Sequence, residues 1–231
     1  MSRASPRNKD DELCALSVHR APTNSERAAD AVIHVLGLGL GVPAALTIVA
    51  LAAIFGSAAD TVTAAIYASG LVAMFACSAA YNMLHRHRWR DWLQRFDHAA
   101  IFAMIAGTYT PFTRLLEPGW AVGLTASVWS IAGAGIAGKL WWPRGGGTLR
   151  RVLSVLLYLA LGWIGLVAIE PFTTSLDWQT LLLIGLGGAI YSMGVVFHLW
   201  HRLPYQNAIW HGFVLTAAAV HYAAVLTALM G

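Results

Sequence analysis

Long apolar runs alternate with short polar segments from about Ala31 to the end of the chain. A helix needs roughly 20 apolar residues to cross the hydrocarbon core of a bilayer. The runs have about that length and lack the period-two alternation of a transmembrane strand. The pattern therefore predicts an all-α protein with seven transmembrane helices, at about residues 32–55, 62–84, 97–116, 119–140, 150–169, 179–200 and 208–230.

Residues typical of turns separate the predicted helices. Glu117-Pro118-Gly119 lies between the third and the fourth, and Leu203-Pro204 lies between the sixth and the seventh. Glu170-Pro171 is predicted to end the fifth helix, because proline removes a backbone donor. The chain is thus expected to consist of a disordered tail, residues 1–30, and a transmembrane bundle, residues 31–231.

Composition indicates that lipid surrounds the protein, and the charge distribution indicates how the protein is oriented in the membrane. The chain is 58% hydrophobic and 11% charged, whereas a soluble domain carries about 25% charged residues. Of the 15 Lys and Arg residues, all but Arg114 lie in the tail or in alternate gaps on the same predicted side. The positive-inside rule then predicts a cytoplasmic N-terminus and an outside C-terminus. The expected partners are membrane lipids, and the net charge of +4 is not a sign of nucleic-acid binding.

Several polar residues share one predicted depth, at the cytoplasmic ends of the helices. Ionisable groups at such depths usually face the bundle interior or a water-filled cavity. Ser78 and Asn82 are four residues apart, as are Asn207 and His211, so each pair shares a helix face. Asp97 begins the third helix. The other members of the set are His34, His85, His98, His198 and His201. A carboxylate, a hydroxyl and imidazoles in one cavity are suited to metal binding or proton transfer.

Structural roles compete with these interpretations. Asp97 is equally able to favour a helix N-terminus, and Ser78 to bond to a carbonyl of its own helix. His198 and His201 fit a simple interfacial position, where polar tips collect. His85 lies in a basic loop, where solvent is the ordinary partner.

Three segments carry a family resemblance: CSAAYNMLH at residues 77–85, RFDHAAIFAMIAGTYTPF at 95–112, and LPYQNAIWHGFVLTAAAVHY at 203–222. Together with seven spans, they resemble the hemolysin III family, bacterial relatives of the progestin and adipoQ receptors and, more distantly, of alkaline ceramidases. The resemblance covers about residues 28–230, and it implies a multi-pass protein of a bacterial cytoplasmic (inner) membrane.

The resemblance implies a zinc site at the cytoplasmic ends of the helices, in which three histidines hold the metal and an aspartate orients a water. Ser78, Asp97 and His211 match the family positions. The other two ligand positions are Asn82 and Asn207, and amide oxygens are poor zinc ligands that suit harder cations. His85, His198 and His201 are possible substitutes, although none has the family spacing.

Two functions follow as hypotheses. The first is a metal-dependent hydrolase of lipid amides or esters, with Asp97 as general base or water orienter and Ser78 as hydrogen-bond donor. The second is a metal-free sensor or regulator of membrane state, with no enzymatic activity. A cytolytic pore is less favoured, because the polar residues cluster at one end of the helices. Retinal-type photochemistry is excluded, since residues 208–230 contain no lysine for a Schiff base.

Overall fold

The computed structural model describes residues 22–84, 87–141 and 147–230, and within these ranges the chain is helical with no strand. This confirms the all-α class. The helices are α1 (Asn24–Phe55), α2 (Ala58–Met83), α3 (Arg90–Thr113), α4 (Pro118–Trp141), α5 (Gly147–Gly162), α6 (Ile169–Ser175), α7 (Trp178–Leu199) and α8 (Gln206–Met230), and a short 3-10 helix, Ile164–Ala168, joins α5 to α6.

Six helical stretches are long and apolar enough to cross a membrane. They are α1, α2, α4, α7, α8 and the composite segment Val152–Ser175, which runs through α5, the 3-10 helix and α6. The remaining long helix, α3, is more polar because it begins with charged residues and continues through Asp97 and His98. It nevertheless has 24 residues, which gives a length of about 36 Å.

The start of α1 differs from the sequence prediction. The helix begins at Asn24, so residues 24 to 30 are helical, although the sequence assigns them to the tail. Thr23 and Glu26 form a capping box: the Thr23 hydroxyl accepts from the Glu26 N–H, and the Glu26 carboxylate accepts from the Thr23 N–H at 2.7 Å. Such a box satisfies free donors of the first turn. Residues 1–21 of the predicted tail lie outside the described residues.

The fifth predicted helix also ends differently. Its first part stops at Gly162, and Glu170-Pro171 lies inside α6 rather than ending a helix. Pro171 is the third residue of α6, in the first turn, where the missing N–H has no intrahelical partner to lose. The prediction of a helix end at Glu170-Pro171 is therefore wrong.

A nearby side chain also accepts hydrogen bonds from the first turn of α7. Asp177 caps this helix by accepting from the Thr180 N–H at 2.8 Å and from the Thr180 hydroxyl at 2.8 Å. These hydrogen bonds hold the pKa of the Asp177 carboxyl below its usual range, since they favour the charged form.

Helices α1, α2, α3, α4 and α8 pack around a common apolar core. The helices α2 and α3 approach closely where glycine faces backbone: a Cβ on Gly70 would lie 3.2 Å from the Ala103 carbonyl oxygen, and one on Gly107 would lie 3.3 Å from that of Ile66. Large apolar side chains such as Leu46 and Val122 point outward and are 69% and 71% exposed. An apolar exterior over the helices is the arrangement expected of a protein that is solvated by lipid.

Candidate functional site

A cavity of about 1460 Å³ lies between the helices. One end of it, here called the polar end, is formed where α1, α3 and α8 begin and α2 ends. The remainder is lined mainly by apolar side chains, among them Met104, Ile105, Leu166 and Leu215. A polar end joined to an apolar interior suits an amphiphile.

Three ionisable side chains form a cluster at the polar end. Asp30 and His34 lie on α1, four residues apart, and His211 lies on α8. The Asp30 Oδ1 atom is 2.6 Å from the His211 Nδ1 atom, and the Asp30 Oδ2 atom is 3.5 Å from the His34 Nε2 atom. Asp30 and His34 are 7% and 4% exposed. The rings of His34 and His211 are in contact, with centroids 4.4 Å apart.

A hydrogen bond next to this cluster joins α1 to the loop before α8. The Glu26 carboxylate, one turn before Asp30, accepts from the Tyr205 N–H at 2.9 Å. Tyr205 has a positive φ of 58°, an uncommon conformation for a residue other than glycine. The bond links residues 179 positions apart and thereby fixes the start of α1 beside His211.

The predicted residues Ser78 and Asp97 line the same cavity as the cluster. The Asp97 carboxylate lies within electrostatic range of His211, His34 and Asp30, and Ser78 is its neighbour on α2. The structure therefore places Ser78, Asp97 and His211 at one end of the bundle and on one cavity.

The two asparagines are not part of the cluster. The Asn82 amide donates to the Ser78 carbonyl oxygen of its own helix at 2.9 Å and contacts the Ser78 hydroxyl at 3.5 Å. Asn207 lines the cavity but is exposed. Within the described residues, no hydrogen bond joins either asparagine to Asp30, His34 or His211.

The proposed substitutes also lie apart from the cluster. His198 and His201 line the cavity, and the His198 ring packs on Trp210 with centroids 4.8 Å apart. Among the described residues, neither joins Asp30, His34 and His211 in a potential ligand group. His85 lies outside the described residues.

Asp30 is the member that the sequence interpretation missed, because it was counted among the tail charges. The signal was the spacing Asp30-x-x-x-His34, which places both side chains on one face of a helix. The capping pair Thr23 and Glu26 was the signal that this helix begins early enough to include Asp30.

The cluster fits a metal ion in its donor set. Potential ligand atoms of Asp30, His34 and His211 all lie within 4.8 Å of one another, and two imidazoles with one carboxylate are a common catalytic zinc set. The His34 Nε2 atom is buried and has no hydrogen-bond partner, as a vacant ligand atom would. The close contact of Asp30 with the His211 Nδ1 atom resembles the carboxylate–histidine pairs that orient metal-binding imidazoles.

Comparison with known proteins supplies the family. A family profile described as Haemolysin-III related matches residues 23–222. The chain belongs to the haemolysin-III family. The haemolysin-III relatives include a hemolysin-3 homolog of Bacillus subtilis (strain 168), which is 36% identical over 209 residues, covering 88% of this chain and 94% of that protein. Hemolysin-3 of Bacillus cereus is 34% identical over 206 residues, covering 87% of this chain and 90% of that protein.

A more distant relative is the human monocyte to macrophage differentiation factor, 30% identical over 221 residues, covering 90% of this chain and 89% of that protein. These matches confirm the resemblance that the three sequence segments carry. This chain is a haemolysin-III-family membrane protein with an Asp–His–His cluster that could hold a metal ion.

Proposed function

We propose that this haemolysin-III protein is a metal-dependent hydrolase that cleaves an amide or ester bond of a membrane lipid. The observation that carries the proposal is the common cavity of Asp97, Ser78 and the Asp30–His34–His211 cluster, which continues into an apolar interior. A lipid can enter such a cavity with its polar bond at the polar end and its chain among apolar side chains.

Zinc is the cofactor that the donor set favours, and Asp30, His34 and His211 would hold it. When bound, zinc supplies a water of lowered pKa and a Lewis acid for the scissile carbonyl. His34 offers the Nε2 atom, which makes no protein hydrogen bond. Asp30 orients His211 through the 2.6 Å contact to Nδ1, and its second oxygen, 3.5 Å from the His34 Nε2 atom, would bind the ion.

Asp97 serves as the general base. Its carboxylate lies near both histidines of the cluster, and its neighbour Ser78 can donate to it. Asp97 accepts the proton of the attacking water and returns it to the leaving amine or alcohol, which is ordinary general acid–base chemistry. Ser78 holds the carboxylate in place, and Asn82 steadies Ser78 from the next turn of α2.

The proposed topology places this site at the cytoplasmic side of the bacterial inner membrane. The proposal includes α3 as a seventh crossing, with the N-terminus inside and the C-terminus outside. The ion pair between Arg114 and Asp60 supports it, because it joins the end of α3 to the start of α2, far from the polar end. The strong excess of Lys and Arg on the polar-end side also supports the orientation.

The test is turnover by the purified protein in detergent, with a labelled short-chain ceramide and its ester analogue as substrates. We expect product release that a chelator abolishes and added zinc restores. Asp97→Asn should lower the rate at least about 100-fold, because general-base catalysis commonly contributes 10²–10⁴-fold. Asn207→Ala, a substitution of a neighbouring polar residue outside the cluster, should retain wild-type turnover. Full turnover by Asp97→Asn, or none by folded zinc-loaded wild type, would contradict the proposal.

One observation favours the metal-free alternative, a membrane-state sensor. The Asp30–His211 contact already satisfies both groups without an ion, and asparagine occupies both residues 82 and 207. A sensor of this kind would bind lipid and change its helix packing without releasing product. Protein that binds lipid equally well with and without zinc, and that releases no product from either substrate in both states, would support this alternative.

A further inference from the structure

A second polar cluster lines another wall of the same cavity, where α3, α4 and α5 meet. The Lys139 ammonium, in the last turn of α4, is 2.7 Å from the Ser154 hydroxyl of α5. Arg95 of α3 lies next to it, since its guanidinium donates to the Leu140 carbonyl oxygen. All three side chains line the cavity. We propose that Lys139, Arg95 and Ser154 form an anion subsite that holds the phosphate of a lipid headgroup.

Neighbouring aromatic rings fix the two cations. The Lys139 ammonium lies 5.6 Å from the centre of the Tyr158 ring, and the Arg95 guanidinium lies 4.9 Å from that of Trp92. Tyr158 is itself fixed, because its hydroxyl donates to the His98 carbonyl oxygen at 3.0 Å. An ammonium, a guanidinium and a hydroxyl are all hydrogen-bond donors, and their charge-assisted bonds to a phosphate are stronger than bonds between neutral groups.

The position of Asp97 links this subsite to the metal cluster. Asp97 is within electrostatic range of His211 on one wall and of Tyr158 on the other. A phosphate held by Lys139 would therefore place the adjoining bonds of the same lipid near Asp97. The subsite deepens the proposed function by naming its substrate class. Binding of the lipid does not depend on the proposed function, and only cleavage of the bound lipid rests on it.

Binding in maltoside micelles, which contain no phosphate, tests the subsite without turnover. The probes are 1-oleoyl lysophosphatidic acid and 1-monooleoylglycerol, which differ only by the phosphate, and the buffer contains a chelator. We expect wild type to bind the phosphate lipid about tenfold or more tightly, since a hydrogen bond to a charged group contributes that much. Equal affinity for the two lipids would overturn the proposal.

Lys139→Gln should reduce the preference to about threefold or less, with unchanged affinity for monooleoylglycerol. Arg202→Gln is the matched control, because it removes the same charge from an exposed residue between α7 and α8 that does not line the cavity; it should keep the full preference. Lys139→Gln that loses both lipids equally would show a structural role and overturn the assignment. Retention of the full preference by Lys139→Gln would also overturn it.

A competition arm distinguishes a lipid headgroup from a free anion. Inorganic phosphate at the concentration of the lysophosphatidic acid should not displace it, because the apolar chain contributes much of the binding. Displacement at matched concentrations would show a soluble anion as the ligand and overturn the lipid assignment. No release of oleate from lysophosphatidic acid by zinc-loaded wild type, with an intact phosphate preference, would reject the proposed hydrolysis alone.

Discussion

Asp30 changes how the missing histidines of this chain are understood. Residues 82 and 207 are amides, which would leave His211 as the single strong ligand of a family-type site. The structure offers His34 and Asp30 from α1 beside His211. A ligand set that draws on α1 and α8 would preserve two imidazoles and a carboxylate, which is an adequate set for zinc.

The first prediction concerns the ligand set. Asp30→Asn keeps the size of the side chain but removes the charge that orients His211 and faces His34. We expect zinc affinity to fall at least about 10–100-fold, which is the usual cost of losing even a supporting carboxylate. Metal content after dialysis against a zinc buffer, measured by mass spectrometry, checks it.

Asn207→Ala is the control for this measurement. It lies on the same helix as His211, one turn earlier, but outside the cluster. Its zinc content should match wild type. The opposite ranking, with zinc lost in Asn207→Ala and retained in Asp30→Asn, would return the site to the family positions.

The break between α5 and the 3-10 helix is the main irregular feature among the helices. The Tyr109 hydroxyl of α3 donates to the Gly162 carbonyl oxygen at 2.6 Å and accepts from the Gly165 N–H at 3.0 Å. One side chain thus satisfies backbone groups that the interrupted helix leaves free, as lipid-embedded backbone requires. It also holds the wall of the cavity that Gly165 and Leu166 line.

The second prediction follows from this contact. Tyr109→Phe leaves the Gly165 donor without a partner, and we expect the free energy of unfolding to fall by about 1–3 kcal/mol. Reversible unfolding in mixed micelles with sodium dodecyl sulfate provides the measurement. Tyr222→Phe is the matched control, since the Tyr222 hydroxyl makes no hydrogen bond to the described residues; equal losses in both variants would contradict the role of Tyr109.

Sequence predicted the elements well where their signals are local. Apolar length located the long helices, and Glu117-Pro118-Gly119 separates α3 from α4 as expected. It failed where a distant residue decides the outcome. The interruption after Gly162 depends on Tyr109, more than 50 residues earlier. No sequence pattern within α5 indicates that Tyr109 is its partner.

The candidate site shows the same limit at the scale of the whole molecule. Helix parity and spacing were enough to predict that Ser78, Asp97 and His211 share a depth. They could not show which residues touch, because the Asp30–His211 contact joins positions 181 residues apart and depends on how α1 packs against α8. Which residues become neighbours depends on how the helices pack, whereas the depth of a residue in the membrane follows from its position along its helix.

The orientation of the whole bundle depends on α3, the most polar of the long helices. Its hydropathy alone does not identify a crossing, but its length of about 36 Å exceeds the roughly 30 Å of hydrocarbon. If α3 crosses, Arg88 and Glu117 lie on opposite sides of the membrane, because they flank this helix. If it does not, they lie on the same side and the alternation of basic segments has no topological meaning.

The third prediction tests whether α3 crosses the membrane. Single cysteines are introduced into a variant in which Cys14 and Cys77 are serine. A membrane-impermeant maleimide should label Glu117→Cys in intact spheroplasts. Arg88→Cys and Arg202→Cys should react only after permeabilisation, since both lie on the basic side, where the positive-inside rule places the cytoplasm. All three residues are exposed, so access to the reagent depends on sidedness. Identical labelling of Arg88→Cys and Glu117→Cys would show that α3 does not cross, and labelling of Arg202→Cys in intact spheroplasts would place the polar end, with Asp97 and His211, outside the cell.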